Sequence, residues 1–171
     1  MSGKTLLWVR SLDSLDVRPL TGTEGARGPF WSTDSRWIGF FAAGKLAKVA
    51  ASGGAPELLC DAPQTAYAGG TWGPDGTIVF AAGFVGLSRV SSAGADRSAL
   101  ANVSPGEAAH RFPFFLPDGR HFLYQQGSAI FVTALDSPTS QRLLAADSGA
   151  IYAPPGYLLF VRQGDALRTT V

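Results

Sequence analysis

Apolar residues in this chain fall in short runs, and each run is closed by Gly, Pro, Asp or Ser. The runs Ile78-Val79-Phe80, Phe122-Leu123-Tyr124 and Leu158-Leu159-Phe160 are continuously apolar rather than alternating. A strand reads that way when both of its faces are covered. The longest stretch free of Gly and Pro is Lys4 to Arg18, 15 residues. A helical protein needs several uninterrupted stretches with a 3.6-residue period. The pattern therefore predicts an all-β fold of short strands and tight turns.

The runs also repeat. Phe30-Trp31-Ser32-Thr33-Asp34-Ser35-Arg36-Trp37-Ile38-Gly39-Phe40 lines up with Thr71-Trp72-Gly73-Pro74-Asp75-Gly76-Thr77-Ile78-Val79-Phe80. It also lines up with Phe114-Phe115-Leu116-Pro117-Asp118-Gly119-Arg120-His121-Phe122-Leu123-Tyr124, and more loosely with Tyr152-Ala153-Pro154-Pro155-Gly156-Tyr157-Leu158-Leu159-Phe160. Asp34 and Asp75 are 41 residues apart, and Asp75 and Asp118 are 43 apart. A second block follows each of the first three: Lys45–Val49, Gly86–Val90 and Ala129–Leu135. A short Leu-bearing strand comes next at Glu57–Leu59, Ser98–Leu100 and Arg142–Leu144.

A period near 41 with four short strands per unit is the spacing of a β-propeller blade, a four-stranded antiparallel sheet. The predicted units are residues 1–24 (the third and fourth strands of a partial blade), three blades at 25–61, 66–102 and 109–146, and a partial blade at 149–171. Two arrangements fit this inventory. One is an open arc of three full and two partial blades. The other is a closed four-bladed ring, in which Val17–Leu20 completes the last blade beside Asp165–Val171. One blade cannot bury its own faces, so stability comes from stacking neighbours. Trp31, Trp72, Phe115 and Tyr152 share one place in the repeat and are expected to pack between blades. Asp34, Asp75 and Asp118 are expected to cap the first turn of each blade, with Gly76, Gly119 and Gly156 supplying turn geometry. An open arc exposes blade faces, so self-association through them is expected.

Composition narrows the function classes. Lys plus Arg number 14 against 13 for Asp plus Glu, a net charge of +1, so no electrostatic footprint for nucleic acid or an anionic membrane surface exists. Cys60 stands alone, which excludes an internal disulfide and a cysteine-based metal site. No 18-residue apolar run predicts a membrane span, and Met1–Arg10 shows no signal peptide.

The repeats resemble the TolB-like, WD40-like propeller repeats of bacteria. The phrases Gly70–Phe80, His110–Tyr124 and Ala153–Arg162 resemble more narrowly the C-terminal propeller of bacterial serine/threonine protein kinases of the acidobacterial type. That resemblance implies an N-terminal kinase domain in the parent protein, often a membrane span after it, and a propeller that senses or binds. It leaves the compartment open, since a propeller of a membrane-anchored kinase can lie outside the cytoplasm. The kinase parts themselves are missing here. His110-Arg111-Phe112 lacks the catalytic Asp, and neither a Gly-rich loop with its lysine strand nor Asp-Phe-Gly occurs.

Few residues carry candidate chemistry. Arg27 and Arg111 each precede the packing aromatic by four residues, on segments entering an inner strand. Such segments ring one mouth of a propeller channel, where a carboxylate or an acidic peptide could meet them. His110 adjoins Arg111 and joins them as a candidate ligand-binding residue. Gly3-Lys4-Thr5 lacks the rest of a phosphate loop, and Gly86–Val90 lacks the second Gly of a hydrolase elbow. Glu107 and His110 form an incomplete metal-ligand pair, and Asn102-Val103-Ser104 is a formal glycosylation sequon. The expectation is a non-catalytic module that binds a protein or ligand, with no cofactor and no metal. The alternative is a propeller enzyme, or an accessory domain of a hydrolase or peptidase.

Overall fold

The computed structural model describes residues 5–63, 69–81, 86–101 and 108–170, and among them every regular element is a strand. A two-stranded sheet comes first, β1 (Trp8–Arg10) paired with β2 (Val17–Pro19). Three four-stranded antiparallel sheets follow. The first holds β3 (Arg27–Trp31), β4 (Trp37–Ala42), β5 (Lys45–Ala50) and β6 (Glu57–Asp61). The second holds β7 (Gly70–Trp72), β8 (Thr77–Ala81), β9 (Leu87–Ser91) and β10 (Ser98–Ala101). The third holds β11 (His110–Phe115), β12 (His121–Gln126), β13 (Ala129–Ala134) and β14 (Gln141–Ala145). The last sheet holds β15 (Ile151–Ala153), β16 (Tyr157–Arg162) and β17 (Asp165–Thr170).

The sheets are propeller blades arranged as an open arc. Strand β2 pairs with β1 and not with β17, so the closed four-bladed ring does not form. Within each full blade the strands follow chain order, each joined to the next by a short connection. First strands meet one another across blades: β7 touches both β3 and β11. The first strands therefore gather toward the axis, and the fourth strands form the outer rim.

The continuous apolar runs are explained by this stacking. Strands β4, β8 and β12 are each buried over most of their length, because a sheet lies on either side. Alternate side chains serve opposite neighbours. Ile78 and Phe80 join Phe41 and Leu46 of the first full blade, whereas Val79 and Ala81 join Phe122 and Tyr124 of the third. Leu123 and Ile130 of the third blade pack with Leu158 and Phe160 of the last sheet. The N-terminal pair of strands covers part of the first blade, where Leu7 and Val9 reach Ile38 and Phe40.

The aromatic place in the repeat behaves unevenly. Trp72 and Phe115 are buried between blades, and Tyr152 is partly buried against the third blade. Trp31 is 50% exposed, which corrects its expected inter-blade role. Its equivalents lie on the first two strands of the preceding blade. The sheet preceding Trp31 consists of β1 and β2 alone, two strands of three residues each. Among the described residues, Trp31 has only this two-stranded sheet before it, whereas Trp72, Phe115 and Tyr152 each have a four-stranded one.

The first turn of each full blade is closed by its Asp. Asp34 Oδ1 accepts from Arg36 N at 3.0 Å, Asp75 Oδ1 from Thr77 N at 2.9 Å, and Asp118 Oδ1 from Arg120 N at 3.0 Å. The following residue is left-handed in all three: Ser35 at φ 58°, Gly76 at 85° and Gly119 at 67°. Asp118 gains two further contacts, from His121 N at 2.9 Å and with His121 Nδ1 at 2.5 Å. Burial opposes ionisation of its carboxyl. The His121 ring and the N–H groups of His121 and Arg120 outweigh that and bring its pKa from 3.8 to about 2. A carboxyl depressed in the folded state contributes stability above its unfolded pKa, and that contribution fades as pH falls toward 2. The Asp118→Asn variant has no such titration. We therefore expect the gap in urea midpoint between wild type and Asp118→Asn to narrow from pH 5 to pH 2. A gap that stays constant over that range would refute this role.

Candidate functional site

The axial ends of the first strands carry the most unusual local geometry. Strands β3 and β11 share the pattern Arg-x-Pro-Phe-aromatic: Arg27-Gly28-Pro29-Phe30-Trp31 and Arg111-Phe112-Pro113-Phe114-Phe115. Each carries a bulge, between Arg27 and Phe30 and between Arg111 and Phe114. A bulge of this kind puts one residue in the left-handed region. In β3 that residue is Gly28, at φ 54°. In β11 it is Phe112, at φ 50°. Glycine takes this conformation freely, whereas a side-chain-bearing residue incurs about 1–2 kcal/mol.

Phe112 is also 38% exposed. Its backbone is gripped from both neighbouring sheets. A Cβ on Gly149 would fall 2.6 Å from Phe112 Cβ, and one on Gly69 would fall 3.3 Å from Phe112 Cα. The two glycines leave just enough room for this segment. Beside it opens an apolar hollow of about 350 Å³ bordered by Gly69, Phe112, Phe114, Gly149, Ala150 and Ile151. That volume lies at the small end of ligand clefts.

The three candidate binding residues do not converge. Arg27 and Arg111 are both exposed at the starts of their strands, in the first and third full blades, with the second blade between them. They lie within β3 and β11 rather than in the preceding loops. His110 is only 4% exposed, with its ring 4.8 Å from the Tyr124 ring. Successive strand residues point to opposite faces, so His110 turns into the blade while Arg111 turns out. It borders a second hollow of about 360 Å³ with Tyr124, Gln126, Thr133 and Ser137. His110 therefore does not share the exposed site of Arg111.

The remaining motifs are placed as follows. Ser88 is a buried residue of β9. Burial pushes the Cys60 thiol above its ordinary pKa, which keeps it protonated and unreactive. Asp34, Asp75 and Asp118 sit in turns of three separate blades. No three His, Cys, Asp or Glu among the described residues stand close enough to hold a metal ion. Gly3, Lys4, Asn102, Val103, Ser104 and Glu107 lie outside the described residues. Sequence reasoning missed Phe112, although the signal was present: aligning the two Arg-x-Pro-Phe phrases sets Phe112 opposite a glycine.

Solved structures share this fold. TolB from Acinetobacter baumannii superposes with a TM-score of 0.78 at 12% identity, over 98% of this chain and 46% of that one. A structure described as TolB from Agrobacterium tumefaciens gives a TM-score of 0.67 at 19% identity, over 91% of this chain and 62% of that one. The chain thus has a TolB-like propeller fold and spans about half to three fifths of the length of these structures. No protein-family model and no curated protein matches the sequence. No helix among the described residues is long and apolar enough to cross a membrane.

Proposed function

We propose that this chain is a non-catalytic propeller module that holds a polypeptide partner at the axial ends of its first strands. The observation that carries this reading is the exposed Arg111–Phe112 pair beside an apolar hollow at those ends. Strained, exposed side chains on a rigid scaffold cluster where recognition occurs. The TolB-like fold supports the reading by analogy only, because function resides in sites rather than folds. The kinase-like phrases at Gly70–Phe80 and His110–Tyr124 further suggest a place in a bacterial signalling protein of the serine/threonine kinase type.

A cellulose-bound array of random twelve-residue peptides tests the binding role. The purified chain is expected to bind a subset of the array, and the Arg27→Glu, Arg111→Glu double variant is expected to lose most of that subset. An array without reproducible spots, or one whose spots ignore the double variant, would defeat the reading.

A further inference from the structure

Resting on that reading, we infer that the hollow beside Phe112 receives one aromatic side chain of an extended partner segment, with Arg111 meeting a carboxylate one or two residues away. Blade geometry does not demand a ring at position 112. The equivalent bulge in the first full blade is made with Gly28 at nearly the same φ. The third blade instead keeps a phenylalanine in a conformation such side chains avoid, with more than a third of it in solvent. Gly69 and Gly149 bring two neighbouring segments against it, so the ring is held rather than loose.

The walls choose the chemistry of the occupant. Phe112, Pro113, Phe114, Ala150 and Ile151 are apolar, and Ile151 is 49% exposed at the open side. An apolar wall with three glycines suits a flat ring, which can stack on Phe112 or meet its edge. None of the bordering residues is charged. Two exposed charges adjoin bordering residues in the chain: Asp147, beside Ser148, accepts from Gln163 N at 2.6 Å, and Arg111, beside Phe112, carries a fork that favours a carboxylate over a neutral or basic neighbour. A peptide with an aromatic residue followed by an acid satisfies both demands.

The probes are blocked tetrapeptides titrated into the ¹⁵N-labelled full chain. Ser-Phe-Glu-Ser is expected to shift the amides of Gly69, Phe112 and Gly149. Replacing its Phe by Ala, or its Glu by Lys, is expected to weaken binding at least tenfold. Phe112→Gly should abolish the shifts, and Phe112→Tyr should retain them. Arg111→Glu alters an exposed side chain and leaves the fold intact. It should invert the preference, so that Ser-Phe-Lys-Ser binds more tightly than Ser-Phe-Glu-Ser. Equal binding of all three wild-type probes, an unchanged preference in Arg111→Glu, or shifts confined to other amides would overturn this inference. If the array still binds peptides that lack an aromatic–acid pair, this pocket assignment fails while the binding role stands. An array without spots removes the binding role itself.

Discussion

Trp72→Ala is expected to lose about 3–5 kcal/mol of stability in a urea melt followed by far-ultraviolet circular dichroism. Trp31→Ala, at the same place in the repeat, is expected to lose less than about 1 kcal/mol. Trp72 is 7% exposed and packs with Phe41, Ile78 and Phe80 between two blades. Its ring also meets Phe30 edge-on, at 6.4 Å between centroids. Removing it leaves a void that β-strand backbones cannot close, and it forfeits an aromatic pair. Trp31 has no such setting, because half of its surface already meets water. Equal losses at the two positions would show that burial does not govern the aromatic place. A loss under about 1 kcal/mol at Trp72 would take it out of the core altogether.

That contrast marks the boundary of what the amino-acid pattern discloses. Strand type, strand order and blade period were legible, because continuous apolar runs, Asp-centred turns and a 41-residue spacing are local signals. Whether a neighbour is present is not a local property. Trp31 and Trp72 look alike in the repeat, yet only Trp72 has a four-stranded sheet before it. His110 was misplaced for a related reason. A polar residue beside an exposed arginine reads as surface, but the strand turns alternate residues to opposite faces and brings its ring against that of Tyr124 at a tilt of 51°. Phe112 was hidden because left-handed backbone is announced by glycine, and here the announcing residue is absent. What exposes it is the comparison of blades: Gly28 shows the conformation that Phe112 has to adopt.

Glycine carries a second meaning in this array. Gly39 in β4 and Gly70 in β7 do not need positive φ, and a strand interior ordinarily disfavours glycine by about 0.5–1 kcal/mol relative to alanine. They are required by Phe30. A Cβ on Gly39 would stand 2.4 Å from Phe30 Cζ, and one on Gly70 would stand 2.5 Å from Phe30 Cε1. The ring thus lies in a slot with one glycine from its own blade and one from the next. Phe41, at 6.1 Å, and Trp72 limit its escape. Gly70→Ala is expected to cost about 2–3 kcal/mol by overpacking, against the gain that strand propensity alone would give. Phe30→Ala is expected to cost about 3 kcal/mol by leaving the slot empty. The two changes together should cost at least about 1 kcal/mol less than their sum, because the added methyl then occupies space the ring has vacated. Urea midpoints of the two single variants and the double variant complete the cycle. Strict additivity would mean that Gly70 is not kept small for Phe30, and the seam between the first two full blades would need another explanation.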